Sequence, residues 1–269
     1  MNTVFEILPD NIEPSRTNLI CEISEQGIAY LFQDIDTKEI KGLSVYRLRL
    51  AKDDLCTRLE DLFKEVSALN INYHNIYISY SFSENVLLPE EIEEENHFKA
   101  LELLSGDRGT KIDLKDRLTA DKMYNVYRVP GALHNAILKQ FPNAIFTHQY
   151  SYLLRALFKK GNVLHVTFYP NKMVCVLVLN GILQLLNSFT YITKDDAAYH
   201  LLNIRHQYRH DDFELKLSGM IEESSPLYTE VYKYFLQVSF AEHQCDCSEG
   251  IKKYPSHYFS HLLSVASCV

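Results

Sequence analysis

The chain has 269 residues, a length that suits two domains, each large enough to bury its own hydrophobic core. Hydrophobic residues make up 46% of the chain and charged residues 23%, which is typical of a globular protein. The formal net charge of −8 argues against a nucleic-acid partner, because such partners usually need a basic protein face.

The first half, residues 18–82, is predicted to follow the order strand, strand, strand, helix, strand. Apolar residues alternate with polar or smaller ones before the turn at 24–27 and return after it, which predicts a hairpin. Asp53 and Asp54 indicate a helix start, because acidic residues favour the positive end of the helix dipole. The predicted elements are a hairpin over 18–35, a strand over 40–50, a helix through 55–66 and a strand over 76–80.

An inserted segment follows over about residues 83–122. Its acidic run at 90–95 is interpreted as a solvated helix start, and Gly106 and Gly109 break the helix that follows. After the insertion we expect a strand over 124–129, a helix from Pro130-Gly131 to 141, a strand over 144–147 and a helix over 150–158.

The second half, residues 162–219, is predicted to repeat the order of the first. Asn180-Gly181 is a strong signal for a two-residue hairpin turn, and Thr193 with the following acids indicates a helix start. The predicted elements are strands over 162–168, 173–179 and 182–191, a helix over 193–210 and a strand over 213–217. Beyond them we expect a helix over 227–236, a strand over 238–241 and a helix over 258–265.

The tandem β-β-β-α-β pattern is the outline of two ribonuclease-H-like halves. We therefore predict an α/β fold of two βββαβα halves, with residues 1–158 forming the first and residues 159–269 the second. The match between the halves is one of element order rather than of residue identity.

Several stretches resemble the actin-like ATPase superfamily of actin, heat-shock chaperones and sugar kinases, especially its pilus-assembly platform and FtsA-like branch. They are Leu88-Pro89-Glu90-Glu91 before a small extra subdomain, Tyr127-Arg128-Val129-Pro130 and Ala144-Ile145-Phe146-Thr147 at the bridge between halves, Asn180-Gly181-Ile182-Leu183 at a hairpin turn, and Leu217-Ser218-Gly219 before a Ser-Pro helix. The last stretch resembles the loop that packs on adenosine in this superfamily. The resemblance implies an actin-like ATPase fold with a central nucleotide cleft, and we expect the chain to be a degenerate member from an uncharacterised bacterial family.

The phosphate loops are where the chain departs from the superfamily. The superfamily has an Asp and, two positions later, a Gly in its first hairpin, whereas here these positions hold Glu22 and Ser24, with Gly27 following. The matching positions of the second hairpin hold Thr167 and Tyr169. Glycine lets backbone N–H groups approach phosphate, and the acids organise Mg²⁺ and the attacking water. ATP hydrolysis is therefore not expected, and the chain is predicted to be a pseudo-ATPase.

The second loop also places Pro170, which has no N–H donor, where phosphate would bind, while Lys172 could restore some positive charge. No cofactor is expected, and ATP with Mg²⁺ is the ligand that the loops would take if they keep a residual function. That nucleotide cleft would use Glu22, Ser24, Gln26, Gly27, Asn171, Lys172, Ser218 and Gly219. No catalytic residue and no metal ligand is predicted.

The sequence offers little support for a nuclease site or a zinc site. A ribonuclease-H nuclease needs several converging carboxylates, but residues 76–80 contain no acid and Glu214 stands alone in the second half. A C-terminal group resembles a metal site, but Cys-x-Cys is not the usual zinc spacing, so we favour a structural interpretation. Its members are His243, Cys245, Cys247, His257 and His261.

The sequence argues against secretion and membrane insertion. Residues 1–17 have no basic region followed by an apolar run, and the longest apolar stretch, 173–186, is interrupted and too short to span a bilayer. The six scattered cysteines are typical of the reduced thiols of a cytoplasmic protein.

Three functional hypotheses remain. The leading one is a non-catalytic scaffold that acts through a protein partner or self-association. The alternative is a divergent nucleotide-binding switch or kinase that uses residues 24–27, Asn171-Lys172 and Ser218-Gly219 around a central cleft. The third is a structural domain stabilised by a C-terminal metal.

Overall fold

The computed structural model describes residues 2–9, 11–48, 55–106, 108–157, 161–209, 213–243 and 245–269. The chain divides into two units. Unit one comprises Met1–Ala156, Cys245–Lys253 and Ser264–Val269, and unit two comprises Leu157–Gln244 and Tyr254–Leu263. Four predicted boundaries lie outside the described residues: the strand end at Leu50, the helix start at Asp53-Asp54, and the helix ends at Phe158 and His210.

The described residues up to Ala156 form nine strands and four helices, all of them in unit one. They are β1 (Asn2–Ile7), β2 (Thr17–Ser24), β3 (Gly27–Asp34), β4 (Ile40–Arg47), α1 (Leu55–Glu65), β5 (Asn75–Ser81), β6 (Asn85–Pro89), α2 (His97–Ser105), β7 (Lys111–Leu118), β8 (Met123–Pro130), α3 (Gly131–Gln140), β9 (Ile145–His148) and α4 (Gln149–Ala156). Six of these strands form one sheet in the order β1-β4-β3-β2-β5-β9.

The remaining elements follow in chain order. They are β10 (Val163–Phe168), β11 (Lys172–Leu179), β12 (Ile182–Thr190), α5 (Lys194–Tyr208), β13 (Glu214–Gly219), α6 (Pro226–Tyr232), β14 (Val238–Phe240), α7 (Glu249–Lys252) and α8 (Ser260–Ala266). In unit two the strands form a five-stranded sheet in the order β12-β11-β10-β13-β14.

The two large sheets repeat one topology. In each, the first strand of the repeat pairs antiparallel with the second, the second pairs antiparallel with the third, and the first pairs parallel with the fourth. A helix precedes the fourth strand in both, as the sequence pattern predicts. The mixed α/β fold predicted from the tandem pattern is therefore confirmed.

Each unit buries an apolar core between its sheet and its helices. In unit one the β2 residues Leu19 and Ile23 pack with Leu59 of α1 and Ile137 of α3. Strand β10 and helix α5 form the equivalent core in unit two, where Leu201 is fully buried. Burying one such aliphatic side chain contributes about 1.5–3 kcal/mol, so these faces fix the strand register.

The small three-stranded sheet differs from the sequence prediction. The strand predicted over 124–129 is β8, which is the central strand of this sheet and pairs with both β6 and β7. Strand β7 was not predicted, because most of its residues are charged. The fold compensates by pairing those charges, for example Arg128 of β8 with Asp113 of β7 at 2.6 Å. Strand β1 was also missed, and it adds to the sheet beside β4.

Local signals in unit two are confirmed. Asn180 and Gly181 both have positive φ angles, 52° and 77°, as a two-residue hairpin turn requires. Thr193 caps α5: its side chain accepts a hydrogen bond from the Asp196 N–H, and the Asp196 carboxylate accepts one from the Thr193 N–H. Helix α6 ends at Tyr232, four residues before the predicted end.

The C-terminal segment rejoins unit one. Cys247 forms a parallel bridge with Ile40 at the start of β4, and residues 245–253 and 264–269 belong to unit one. The predicted second half placed them with the rest of residues 159–269, and those half boundaries stay a prediction. None of the helices in the described part of the chain has the length and apolar character that a membrane crossing requires.

Candidate functional site

The eight predicted cleft residues lie in two groups, one in each unit. Glu22, Ser24, Gln26 and Gly27 lie together on the β2–β3 hairpin of unit one. In unit two, Asn171 and Lys172 lie on the β10–β11 turn, and Ser218 and Gly219 end the neighbouring strand β13. The central cleft that would join the two groups stays a prediction.

The β2–β3 turn is closed by its own polar groups. The Ser24 hydroxyl accepts a hydrogen bond from the Gln26 N–H at 3.2 Å, and the Gln26 carbonyl accepts one from the Leu48 N–H at 2.9 Å. Gly27 has a φ of 143°, and a Cβ atom there would lie 2.1 Å from the carbonyl oxygen of Tyr46. The glycine is therefore required for the close approach of β3 to β4.

Glu22 lies within the sheet rather than in a loop. It is 3% exposed and stands opposite Ala29 on β3 and Ser79 on β5. The neighbouring Ser79 hydroxyl donates a hydrogen bond to Gln149 Oε1 at 2.7 Å. A carboxylate here could supply one oxygen ligand to Mg²⁺, which is commonly held by one or two carboxylates together with substrate phosphates and water.

The β10–β11 turn is closed by hydrogen bonds to both sides. The Tyr169 N–H donates to the Lys172 carbonyl at 2.8 Å, and the Tyr191 N–H donates to the Asn171 carbonyl at 3.0 Å. The Tyr191 hydroxyl donates to the Tyr169 carbonyl. Lys172 is buried, with its ammonium nitrogen 5.3 Å from the centre of the Tyr169 ring, a cation–π contact.

Ser218 and Gly219 lie where β13 ends beside β10. The hydroxyls of Ser218 and Thr167 are 2.8 Å apart and hydrogen-bonded. Gly219 has a φ of 79°, and a Cβ there would lie 2.1 Å from the Phe168 carbonyl oxygen. This carbonyl also accepts a hydrogen bond from the Met220 N–H at 2.9 Å. The loop and the β10–β11 turn therefore share the carboxyl edge of two parallel strands, where ligands of open α/β sheets bind.

A buried polar cluster in unit one was missed by sequence reasoning. Asp116 of β7 accepts hydrogen bonds from the His148 N–H at 2.7 Å and from the Ser151 hydroxyl at 2.6 Å. These groups lie at the start of α4, so Asp116, a residue of strand β7, caps that helix. Burial raises the pKa of Asp116. The sequence gives no signal for this contact, because the partners lie 32 and 35 residues away.

The five C-terminal residues that resemble a metal site are divided between the two units. Cys245 and Cys247 belong to unit one, while the three histidines belong to unit two, where His243 hydrogen-bonds Ser260 Oγ and His257 donates to the Ile221 carbonyl. Among the residues that the structure describes, no three His, Cys, Asp or Glu side chains come together to hold a metal ion.

A groove of 460 Å³ opens beside the C-terminal segment of unit one. Apolar side chains and charged side chains of both signs line it together. Its residues include Ile7, Leu8, Pro9, Glu39, Lys41, Asp246, Cys247, Ser248 and Lys252.

A family model described as "Protein of unknown function (DUF3822)" matches residues 9–238. The chain belongs to this family. None of the curated proteins matches the chain in sequence.

Solved structures similar to this DUF3822 chain identify its fold. A Bacteroides thetaiotaomicron protein of actin-like ATPase fold and unknown function is 18% identical, with a TM-score of 0.80 over 97% of this chain and 100% of that one. A chain of the PilM–PilN type IV pilus biogenesis complex is 12% identical, with a TM-score of 0.65 over 93% and 98%. The ethanolamine utilization protein EutJ from Carboxydothermus hydrogenoformans is 10% identical, with a TM-score of 0.50 over 97% and 91%. The chain therefore has the actin-like ATPase fold, as the sequence resemblance implied.

Proposed function

We propose that this DUF3822 chain is a non-catalytic scaffold that acts through contacts with a partner protein or with further copies of itself. The observation that carries the proposal is the closed β10–β11 turn. A phosphate-binding loop must aim backbone N–H groups at its ligand, and it uses glycine so that the ligand can come close.

The donors of that turn are committed to the protein itself. The Tyr169 N–H bonds the Lys172 carbonyl, and Pro170 has no N–H to offer. The Lys172 ammonium, a positive charge at this turn, lies against the Tyr169 ring. Opening the turn for a phosphate would therefore break a hydrogen bond and a cation–π contact before any ligand contact formed.

The first hairpin supports the same conclusion. Ser24 occupies the position at which the superfamily places its first glycine, and its hydroxyl is used within the turn by Gln26. Gly27 is required for packing against Tyr46, so it is not free to serve as a substitute phosphate-binding glycine.

The fold is compatible with a role in protein assembly. One structure similar to this chain comes from the PilM–PilN complex of type IV pilus biogenesis, which is an assembly of two proteins. We propose by analogy that this chain also works as part of an assembly. Its bacterial origin and its cytoplasmic location stay predictions.

A nucleotide-dependent switch is the second candidate. One observation favours it: the β10–β11 turn and Ser218-Gly219 lie at the carboxyl edge of neighbouring parallel strands, the usual place for a ligand in such sheets.

A thermal-shift titration with ATP and ADP, with and without Mg²⁺, separates the two candidates. A ligand that binds only the folded chain must raise Tm by mass action, by an amount that grows with its concentration. The scaffold proposal expects no shift at millimolar nucleotide and no phosphate release above that of a buffer blank.

Three variants make the titration specific. Asn171→Asp adds a negative charge to an exposed turn position, Lys172→Met removes the ammonium at similar volume, and Glu22→Gln removes the only carboxylate of the proposed site. A nucleotide shift that these variants abolish would overturn the scaffold proposal and favour the switch. Bulky replacements of Gly219 are unsuitable, because they collide with Phe168 and damage the fold.

Self-association supplies the positive half of the test. Sedimentation velocity over a hundredfold range of protein concentration, without nucleotide, should detect any dimer or larger assembly of the full chain. A monomer throughout would restrict the proposal to a different partner protein.

A further inference from the structure

Two cysteines of unit one lie side by side where the C-terminal segment meets β4. The Sγ atoms of Cys245 and Cys247 are 3.3 Å apart. Sulfurs joined in a disulfide are about 2.05 Å apart, so a small approach separates these thiols from a covalent bond.

The two thiols differ in access and in acidity. Cys245 is half-buried, whereas Cys247 is 7% exposed. The hydrogen bond between the sulfurs lowers the pKa of Cys245, and the same bond together with burial raises the pKa of Cys247. Because the thiolate is the reactive form, Cys245 is the better nucleophile of the pair.

Three other cysteines lack this combination. Cys21 and Cys175 are fully buried in the two cores, and burial raises the pKa of both. Cys268 is half-buried, but burial raises its pKa as well. Cys245 combines partial solvent exposure with a lowered pKa.

The pair is also part of a backbone contact with β4. The Ile40 N–H donates to the carbonyl of Asp246 at 2.8 Å, and the Ser248 N–H donates to the carbonyl of Ile40 at 2.9 Å. The first bond uses the residue between the two cysteines and the second uses the residue after them, so both hold this segment against the start of β4. A disulfide between the two cysteines would close a small ring through the backbone of residues 245–247, which carries the Asp246 carbonyl.

We propose that Cys245 and Cys247 form a reversible redox pair that a small-molecule disulfide, such as oxidised glutathione, converts to an intramolecular disulfide, and that this oxidation loosens residues 245–253 from β4. The modification is independent of the proposed scaffold role, since it needs neither a nucleotide nor a partner protein.

The reaction is two thiol–disulfide exchanges. The Cys245 thiol gives its proton to solvent, and its thiolate attacks one sulfur of the oxidant, whose S–S bond breaks and releases one thiolate. Cys247 then loses its proton and attacks the Cys245 sulfur, so the protein disulfide forms and the second thiolate leaves. The two cysteines lose two electrons and two protons, and the oxidant becomes two thiols.

Peptide mass mapping of the full chain tests the chemistry. The protein is equilibrated with reduced and oxidised glutathione at several ratios, quenched with acid and alkylated after unfolding. We expect the peptide with both cysteines to lose two hydrogen atoms and escape alkylation, while Cys21 and Cys175 remain alkylated. Retention of both thiols at every ratio, or a disulfide between two chains, would overturn the proposal.

Single variants test the order of attack. Cys247→Ser should trap glutathione as a stable mixed disulfide on Cys245, whereas Cys245→Ser should react about tenfold more slowly at the buried Cys247. Cys268→Ser is the matched control and should oxidise like the natural chain. Equal rates in the two single variants would contradict the assignment of Cys245 as nucleophile.

Hydrogen exchange tests the structural consequence. The amides of Ile40 and Ser248 should exchange about tenfold faster in the oxidised chain, because local opening exposes their hydrogen bonds. The amides of β2, at the centre of the sheet, should not change. Equal exchange at Ile40 and Ser248 in both redox states would overturn the loosening of the segment.

Discussion

Asp116 gives the sharpest test of how unit one is held together. Replacing it with alanine leaves the His148 N–H and the Ser151 hydroxyl without their acceptor in a buried site, where Asp116 itself is 8% exposed. Each unsatisfied buried donor costs about 1–3 kcal/mol. We therefore expect Asp116→Ala to lower the free energy of unfolding by about 4 kcal/mol.

The assay is guanidinium chloride unfolding followed by circular dichroism, combined with hydrogen exchange at the His148 amide. Glu95→Ala, which removes an exposed acid from the same region, should change the free energy of unfolding by less than about 0.5 kcal/mol. A loss below about 1 kcal/mol for Asp116→Ala, with His148 still protected, would refute the proposed cap of α4.

The pH dependence of the same variant follows from linkage. Burial raises the pKa of Asp116, so the folded state binds its proton more tightly than the unfolded state does. The stability from this group is fully present below the ordinary pKa of 3.8 and is lost as pH rises through the raised pKa. The loss caused by Asp116→Ala should therefore be larger at pH 4 than at pH 7.

Two further predictions concern unit two. Gly219→Ala should lower the free energy of unfolding by about 2–4 kcal/mol, because the new Cβ meets the Phe168 carbonyl at a positive φ. Gly161→Ala, which has a φ of 69° but open space around the Cβ position, should cost only about 1 kcal/mol in the same denaturation assay, and equal losses would contradict the steric argument. Glu230 has its pKa lowered to about 2 by hydrogen bonds from Lys194 and Lys233, so its stabilisation is present above the ordinary pKa of 4.5 and is lost as pH falls toward 2. Glu230→Gln should therefore flatten the fall of Tm between pH 5 and pH 3, and an unchanged slope would show that the carboxylate does not act this way.

The candidate site was only partly readable from the sequence. The loss of the phosphate-loop glycine at Ser24 and Tyr169 is visible in the residues themselves. The packing role of Gly27 and Gly219 is not visible in the sequence, because it depends on a carbonyl oxygen that a distant strand residue places next to each glycine. The same holds for Lys172, whose buried position over Tyr169 depends on how the turn closes.

The sequence by itself determined the repeated order of elements and several of their boundaries. Asn180-Gly181 and the Thr193 capping box were readable because hydrogen bonds and φ angles within a few residues decide them. Alternating apolar residues likewise predicted strands such as β2, because successive side chains of a strand point to opposite faces of the sheet.

Only the tertiary structure decided the contacts between distant segments. Strand β7 is too charged to be recognised alone and forms because β8 supplies both a hydrogen-bond ladder and Arg128. The cap of α4 by Asp116 and the bridge of Cys247 to Ile40 join groups that are far apart in sequence. Such contacts gain their energy from burial and pairing that exist only after the chain has folded, so no local pattern encodes them.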